Sequence, residues 1–336
     1  MDQLDCIHTL TILLCRFYAT YQSRKDEPGC NVSTEILSIV KEKLSGRHWP
    51  PQLEAPADLD SSSIAILSAR LHLNLYPATV DARQYEQELV RNHLRMLFSV
   101  PPDRHAIVTG SPLEPLIAEA SAQIMHYIHA NGQPYMHFWD LLWKYMDHGL
   151  ASQGATGELI GRGLGIYAMD RAINRLPPAS ICELKYQTPV TVVDYYKALL
   201  TDEAWEELRQ SIPANRAQLS DASANTTFED AFKGGYFHFS HYGQANDISP
   251  MQSSHAWAYW LRGTAIACQL NQELTDRMTP IYFPERGNVS PQTISVNLDQ
   301  DKTSDSPQSQ SNLPSISLSF QEPANCLILL LCIVML

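Results

Sequence analysis

The sequence predicts a mixed α/β (or α+β) chain: a helical region over residues 1–150, then a mixed sheet flanked by helices over 151–336. Three observations carry this. Apolar residues recur at helical spacing through the first part. Near residue 152 the pattern changes to a glycine-spiked helix. Beyond residue 230 short aromatic and β-branched runs follow one another, bounded by Gly and Pro. At 336 residues and 44% hydrophobic, the chain can bury one or two sizeable cores.

The elements follow in order. "STEILSIVKEKL" (33–44) opens on Ser33 with Glu35 close behind, a capping pattern ahead of helically spaced apolar residues. "DARQYEQELVRNHLRMLF" (81–98) reads as a second helix with charges on one face. "ASAQIMHYIHA" and "YMHFWDLLWKYMDHGL" are aromatic-rich helices, so this region reads as all-helical. "TGELIGRGLGIYAMDRAINR" (156–175) is a helix whose glycines cost stability unless something packs closely there. "PVTVVDYYKALLTDEAWEELRQ" gives one or two helices, and "YFHFSHYG" a strand between Gly235 and Gly243. "AWAYWLRGTAIACQ" passes from helix to strand near Thr264–Cys268, and "MTPIYF" and "TISVNL" are further strands. The stretch 303–316 predicts a poorly ordered polar loop, because Ser, Gln, Asp and Pro bury too little apolar area to offset the entropy of ordering. "CLILLLCIVML" has 11 residues, short of the roughly 20 a membrane helix needs, and reads as a buried strand.

Charge and cysteine content narrow the function. The formal net charge is −12, and residues 151–336 hold 12 Lys/Arg against 19 Asp/Glu, which argues against nucleic-acid coating by general basicity. Seven scattered cysteines with no C-x-x-C pair indicate neither a zinc site nor a disulfide framework. The first residues carry aspartates where a secretory leader has Lys or Arg, so an intracellular location (cytoplasm or nucleus) is expected, with no transmembrane helix. His238 and His241 are three apart, which disfavours shared metal ligation from one strand face. "HGLASQG" lacks the G-x-S-x-G elbow of a serine hydrolase.

One constellation carries chemistry. Ile294, Val296 and Leu298 share a strand face, and Gln300 and Lys302 continue it, so an apolar row turns polar at the strand's end. Asp276 opens the preceding run and can meet them across a hairpin through "PERGN". Glu158 adds a carboxylate from the glycine-rich helix, with Arg162 one turn on. Gly157, Gly161 and Gly163 would let that helix approach the sheet. Carboxylates and an amide oxygen suit Mg²⁺ or Mn²⁺, and a lysine can stabilise a phosphate. The plainer alternatives are a solvated strand end for Gln300-Asp301-Lys302 and a surface ion pair for Glu158 and Arg162.

A helix glutamate, a strand aspartate and a Gln-x-Lys strand resemble the PD-(D/E)xK restriction-endonuclease-like superfamily. The wording "RGTAIACQLNQELTDRMTPIYF" before "ISVNLDQDK" is similar to nuclease-like domains of fungal, Crinkler-related protein expansions. The resemblance covers roughly residues 150–336 and implies a phosphodiesterase acting on DNA. It would make Asp276, Glu158 and Gln300 the metal ligands, with Lys302, Gln300 and Glu158 catalytic. The acidity and Asp299 and Asp301 in the strand favour instead a catalytically inert protein-interaction or effector-like module. The lack of a G-x-x-x-x-G-K-[ST] P-loop favours a remnant of a larger mobile-element-associated protein.

Overall fold

The computed structural model describes residues 32–46, 61–75, 80–100, 107–112, 114–130, 136–151, 156–182, 184–213, 225–245, 253–268, 275–303 and 328–335. The fold is mixed α/β, divided into two compact units at Thr156/Gly157. Among the described residues no helix is long and apolar enough to cross a membrane. The polar loop expected near 303–316 lies outside the described residues, apart from Thr303, which ends a strand.

The first unit holds helices α1 (Val32–Ser45), α2 (Ser61–Leu71), α3 (Val80–Asn92), α4 (Pro115–Ala130) and α5 (Met136–Asp147). It is not all helical. The helix expected to run to Phe98 stops at Asn92, and Leu94 adopts a left-handed φ of 62°, which ends it. The chain then forms β1 (Met96–Ser99), paired antiparallel with β2 (Val108–Gly110). Arg95 ties this hairpin to the helices. Its Nε donates to Thr109 Oγ1 at 2.6 Å, and its Nη1 donates to Leu73 O and Ser68 Oγ, each at 3.1 Å. Each bond satisfies a group that would otherwise be stranded in the interior.

The second unit is three-layered. α6 (Thr156–Arg175), α7 (Val192–Leu199), α8 (Asp202–Gln210) and α9 (Phe228–Phe232) precede α10 (Ser253–Leu261). Threonines cap three of them: Thr191, Thr201 and Thr227 accept from the backbone N–H of Asp194, Ala204 and Asp230. The strands are β3 (Val190–Thr191), β4 (Tyr236–Phe237), β5 (His241–Gln244), β6 (Thr264–Ala267), β7 (Arg277–Tyr282), β8 (Ile294–Thr303) and β9 (Ile328–Met335).

β7 organises the sheet. One edge pairs with β8 along its whole length, from Arg277↔Asp299 to Tyr282↔Ile294. The other edge is shared: Met278 and Arg277 pair with β6, and Tyr282 and Ile281 pair with β4. Pro280 falls in the gap between those two partners, which is how a strand this central tolerates a proline. β5 runs parallel to β6, and β9 parallel to β8. The apolar C-terminal run is therefore a strand, as its length predicts.

Both faces of β7–β8 are covered. The even-numbered residues Met278, Ile294, Val296 and Leu298 pack with Ala256 and Trp260 of α10 and Ile266 of β6. The odd-numbered face carries polar residues, and alternation alone would send it to solvent. Instead Ser295, Asn297 and Asp299 are buried there. Arg277 of that face donates to Gly161 O of α6, and Tyr196 of α7 donates to Asn297 Oδ1. Thus α6 and α7 form the layer over it.

Candidate functional site

Of the sequence-derived set, Asp276 and Gln300 lie beside each other at the end of the hairpin where β7 begins and β8 runs on beyond it. Asp276 sits in a bend one residue before β7; its backbone N–H donates to Asp299 O at 2.9 Å, while its own O accepts from Cys268 N. Asp276 therefore lies alongside Asp299 and Gln300. Gln300 is buried and pairs with Cys332 of β9, and Lys302 pairs with Val334 two steps further. β8 is laddered on both sides as far as Asp299, and from Gln300 to Lys302 it pairs with β9 alone.

Glu158 lies in the first turn of α6 and is partly exposed. Its helix packs on the odd-numbered face, whereas Gln300 belongs by register to the even-numbered row. The members thus reach the same end of the sheet from two layers. The expected surface ion pair with Arg162 changes character, because Arg162 is buried and its Nε donates to Glu158 O at 3.4 Å. Gly161 receives the Arg277 hydrogen bond at 2.6 Å. A close approach falls at Gly165, where a Cβ would run into Tyr242 Oη and crowd Arg277 and Tyr195.

Electrostatics tie these groups together. The buried Cys268 thiol is pushed up to about 12, first by burial, then by the negative charges of Asp276, Glu158 and Asp299; Arg277 pulls the other way. Three carboxylates therefore act on one sulfur. Burial also raises the Asp299 carboxyl above its ordinary range, more than Arg277 lowers it. The two side chains are 4.0 Å apart and almost wholly enclosed. Tyr196 is held well above the usual phenol range by burial and then by Asp299.

Sequence reasoning missed Arg277, Asn297 and Tyr196, and took Asp299 only as an oddity. The available signal was that oddity: a carboxylate in a central strand needs a buried cation, and Arg277 follows Asp276 directly. His238 and His241 are hydrogen-bonded side chains, not a pair of ligands. His238 Nδ1 meets Trp260 O at 2.9 Å, and His241 sits between Ser240 Oγ and Thr264 Oγ1.

Two carboxylates and an amide oxygen are hard donors that fit Mg²⁺ or Mn²⁺, which keep several waters and need only one or two carboxylates. No group of three or more His, Cys, Asp or Glu among the described residues could hold a metal ion. A cation here would therefore rest on Asp276 and Glu158, with Gln300 and water completing its shell. Comparison with protein-family models, with curated proteins and with solved structures found nothing that matches the chain.

Proposed function

We propose that this end of the β7–β8 hairpin is a divalent-cation-dependent phosphodiester hydrolase centre of the restriction-endonuclease-like kind, with DNA as substrate. The observation that carries the reading is the backbone contact of Asp276 with Asp299, which sets a carboxylate beside Gln300 and two residues from Lys302. The shared influence of Glu158 and Asp276 on Cys268 supports it. Mg²⁺ or Mn²⁺, when bound, supplies Lewis-acid stabilisation of charge developing on the phosphate. Asp276, Glu158 and Gln300 furnish oxygen donors for it. Lys302 furnishes a fixed positive charge for the phosphate oxygens. Arg277, through Gly161 O, keeps the Glu158 helix against the sheet. A cytoplasmic or nuclear location belongs to the same reading.

Net charge sets the level of activity. Residues 151–336 hold 12 Lys/Arg and 19 Asp/Glu, so the unit repels a polyanion and phosphate contacts must overcome that. Cleavage is expected to be weak, stronger with Mn²⁺, and confined to low salt. The test is cleavage of plasmid DNA by the full chain beside Asp276→Ala and Lys302→Ala, both expected to be inactive. Cleavage unchanged in both variants would remove these residues from the reaction. The same acidity favours a second reading, an inert protein-interaction module. No cleavage by a folded wild-type chain with either cation, together with capture of a protein partner, would select it.

A further inference from the structure

The charge of the second unit is unevenly spread. Of its 12 Lys/Arg, three converge on one cleft: Arg171 and Arg175 from the last turns of α6, and Lys197 from the last turn of α7. The cleft is completed by Leu199, Leu200 and the start of α8 at Thr201–Glu203. Arg171 and Arg175 are four apart and so lie one above the other on α6. Arg171 is anchored, since its Nη1 donates to Ala198 O at 3.1 Å. That bond turns the guanidinium toward the α7–α8 junction and uses one of its five N–H groups. Arg175 and Lys197 are exposed and make no hydrogen bond or ion pair among the described residues. Asp202 and Glu203 line the same cleft without neutralising them.

Two cations left unpaired in a unit rich in carboxylates, beside a third whose guanidinium is already oriented, make an anion receptor. We propose that this cleft binds a phosphate group, with Arg171 as the oriented contact and Arg175 and Lys197 as the charges that close on it. A phosphate suits it better than a carboxylate, because three cations exceed the two acids present and a doubly charged tetrahedral anion can engage all three. The N-terminus of α8 adds favourable dipole on the same side, although its first-turn acids offset part of it. The site is separate from the hydrolase centre and does not rest on that reading: Glu158 and Arg171 lie thirteen residues apart on α6, about 20 Å.

The experiment is calorimetric titration of the full chain at low salt with pyrophosphate and, separately, with a single-stranded oligonucleotide. It compares wild type, Arg175→Ala/Lys197→Ala, and the control Arg262→Ala in the turn that follows α10. All three residues are exposed, so the variants are expected to fold, which circular dichroism checks. Wild type and Arg262→Ala should bind alike, and the double variant should lose about tenfold or more, with binding weakening as salt rises. Binding of both probes identifies a phosphate receptor, and binding of the oligonucleotide alone identifies a backbone contact; each supports the cleft provided the double variant loses it. No binding to wild type, or equal binding to the double variant, overturns the proposal.

Discussion

Replacing Arg277 by methionine removes a buried charge while keeping most of the side-chain volume. Arg277 and Asp299 are 1% and 4% exposed, so the substitution leaves a carboxylate inside the layer between α6 and the sheet. Breaking a buried pair costs about 3–5 kcal/mol, against a typical domain stability of about 5–15 kcal/mol. Two features hold the loss to the lower end, about 3 kcal/mol. The contact is long, at 4.0 Å. Burial has also raised the Asp299 carboxyl above its ordinary range, so a proton can replace the lost cation. The pH dependence follows from that direction. A carboxyl raised in the folded state holds a proton that the unfolded chain gives up. Its contribution is fullest below the ordinary carboxylate range and is lost as pH rises through the folded value. Without Arg277 the folded value rises further, so the loss should be larger at pH 8 than at pH 5. Native-state hydrogen exchange of β7 and β8 amides reads it directly. Arg277→Met/Asp299→Asn should recover at least half of the loss, because no buried charge remains. A single-variant loss under about 1 kcal/mol at pH 8 would refute the reasoning. So would a larger loss at pH 5, or a double variant no better than the single.

Gly165→Ala drives a methyl into Tyr242 Oη and should cost about 1–3 kcal/mol, seen as a lowered melting temperature; an unchanged value would show that α6 can lift off the sheet without penalty. Cys268, with its thiol near 12, should resist iodoacetamide at pH 8 while the exposed Cys182 alkylates, as peptide mass spectrometry reports. Mn²⁺ should speed Cys268 labelling by offsetting the nearby carboxylates, and Glu158→Gln/Asp276→Asn should abolish that acceleration. Labelling of Cys268 as fast as Cys182 would contradict the enclosed, carboxylate-lined setting.

Much of the second unit was legible in the sequence because its signals are local. The helix read over 156–175 is α6 itself, since periodicity and a first-turn glutamate mark it without help from tertiary contacts. β8 followed from its two-residue alternation. The same alternation says nothing of what covers its other face, where α6 and α7 bury Ser295, Asn297 and Asp299. Nothing local encodes that cover, because Gly161 is 116 residues from Arg277 and Tyr196 is 101 from Asn297. In the first unit "RMLF" suits a helix or a strand equally. The left-handed Leu94 that decides it carries no sequence signal, since leucine rarely adopts that conformation.

The two ends of α6 bear chemistry of opposite sign: Glu158 in the first turn, Arg171 and Arg175 in the last turns. Both placements complement the helix dipole, which accounts for about 0.3–1 kcal/mol each and for nothing more. It does not account for Lys197, which arrives from another helix at the same cleft. If the hydrolase centre and the phosphate cleft serve one strand, the spacing along α6 sets a length. About 20 Å corresponds to roughly six phosphates at 3.4 Å per nucleotide of one strand. An acidic unit needs such an anchor, because the Asp276 end alone offers a phosphate polymer little attraction. Cleavage of single-stranded oligonucleotides should therefore rise steeply once their length passes about six or seven nucleotides. In Arg175→Ala/Lys197→Ala the step should vanish, while cleavage of the shortest substrates stays as in wild type. A smooth dependence on length in wild type would show that the two sites act on different molecules. A step that survives in the double variant would place the anchor elsewhere.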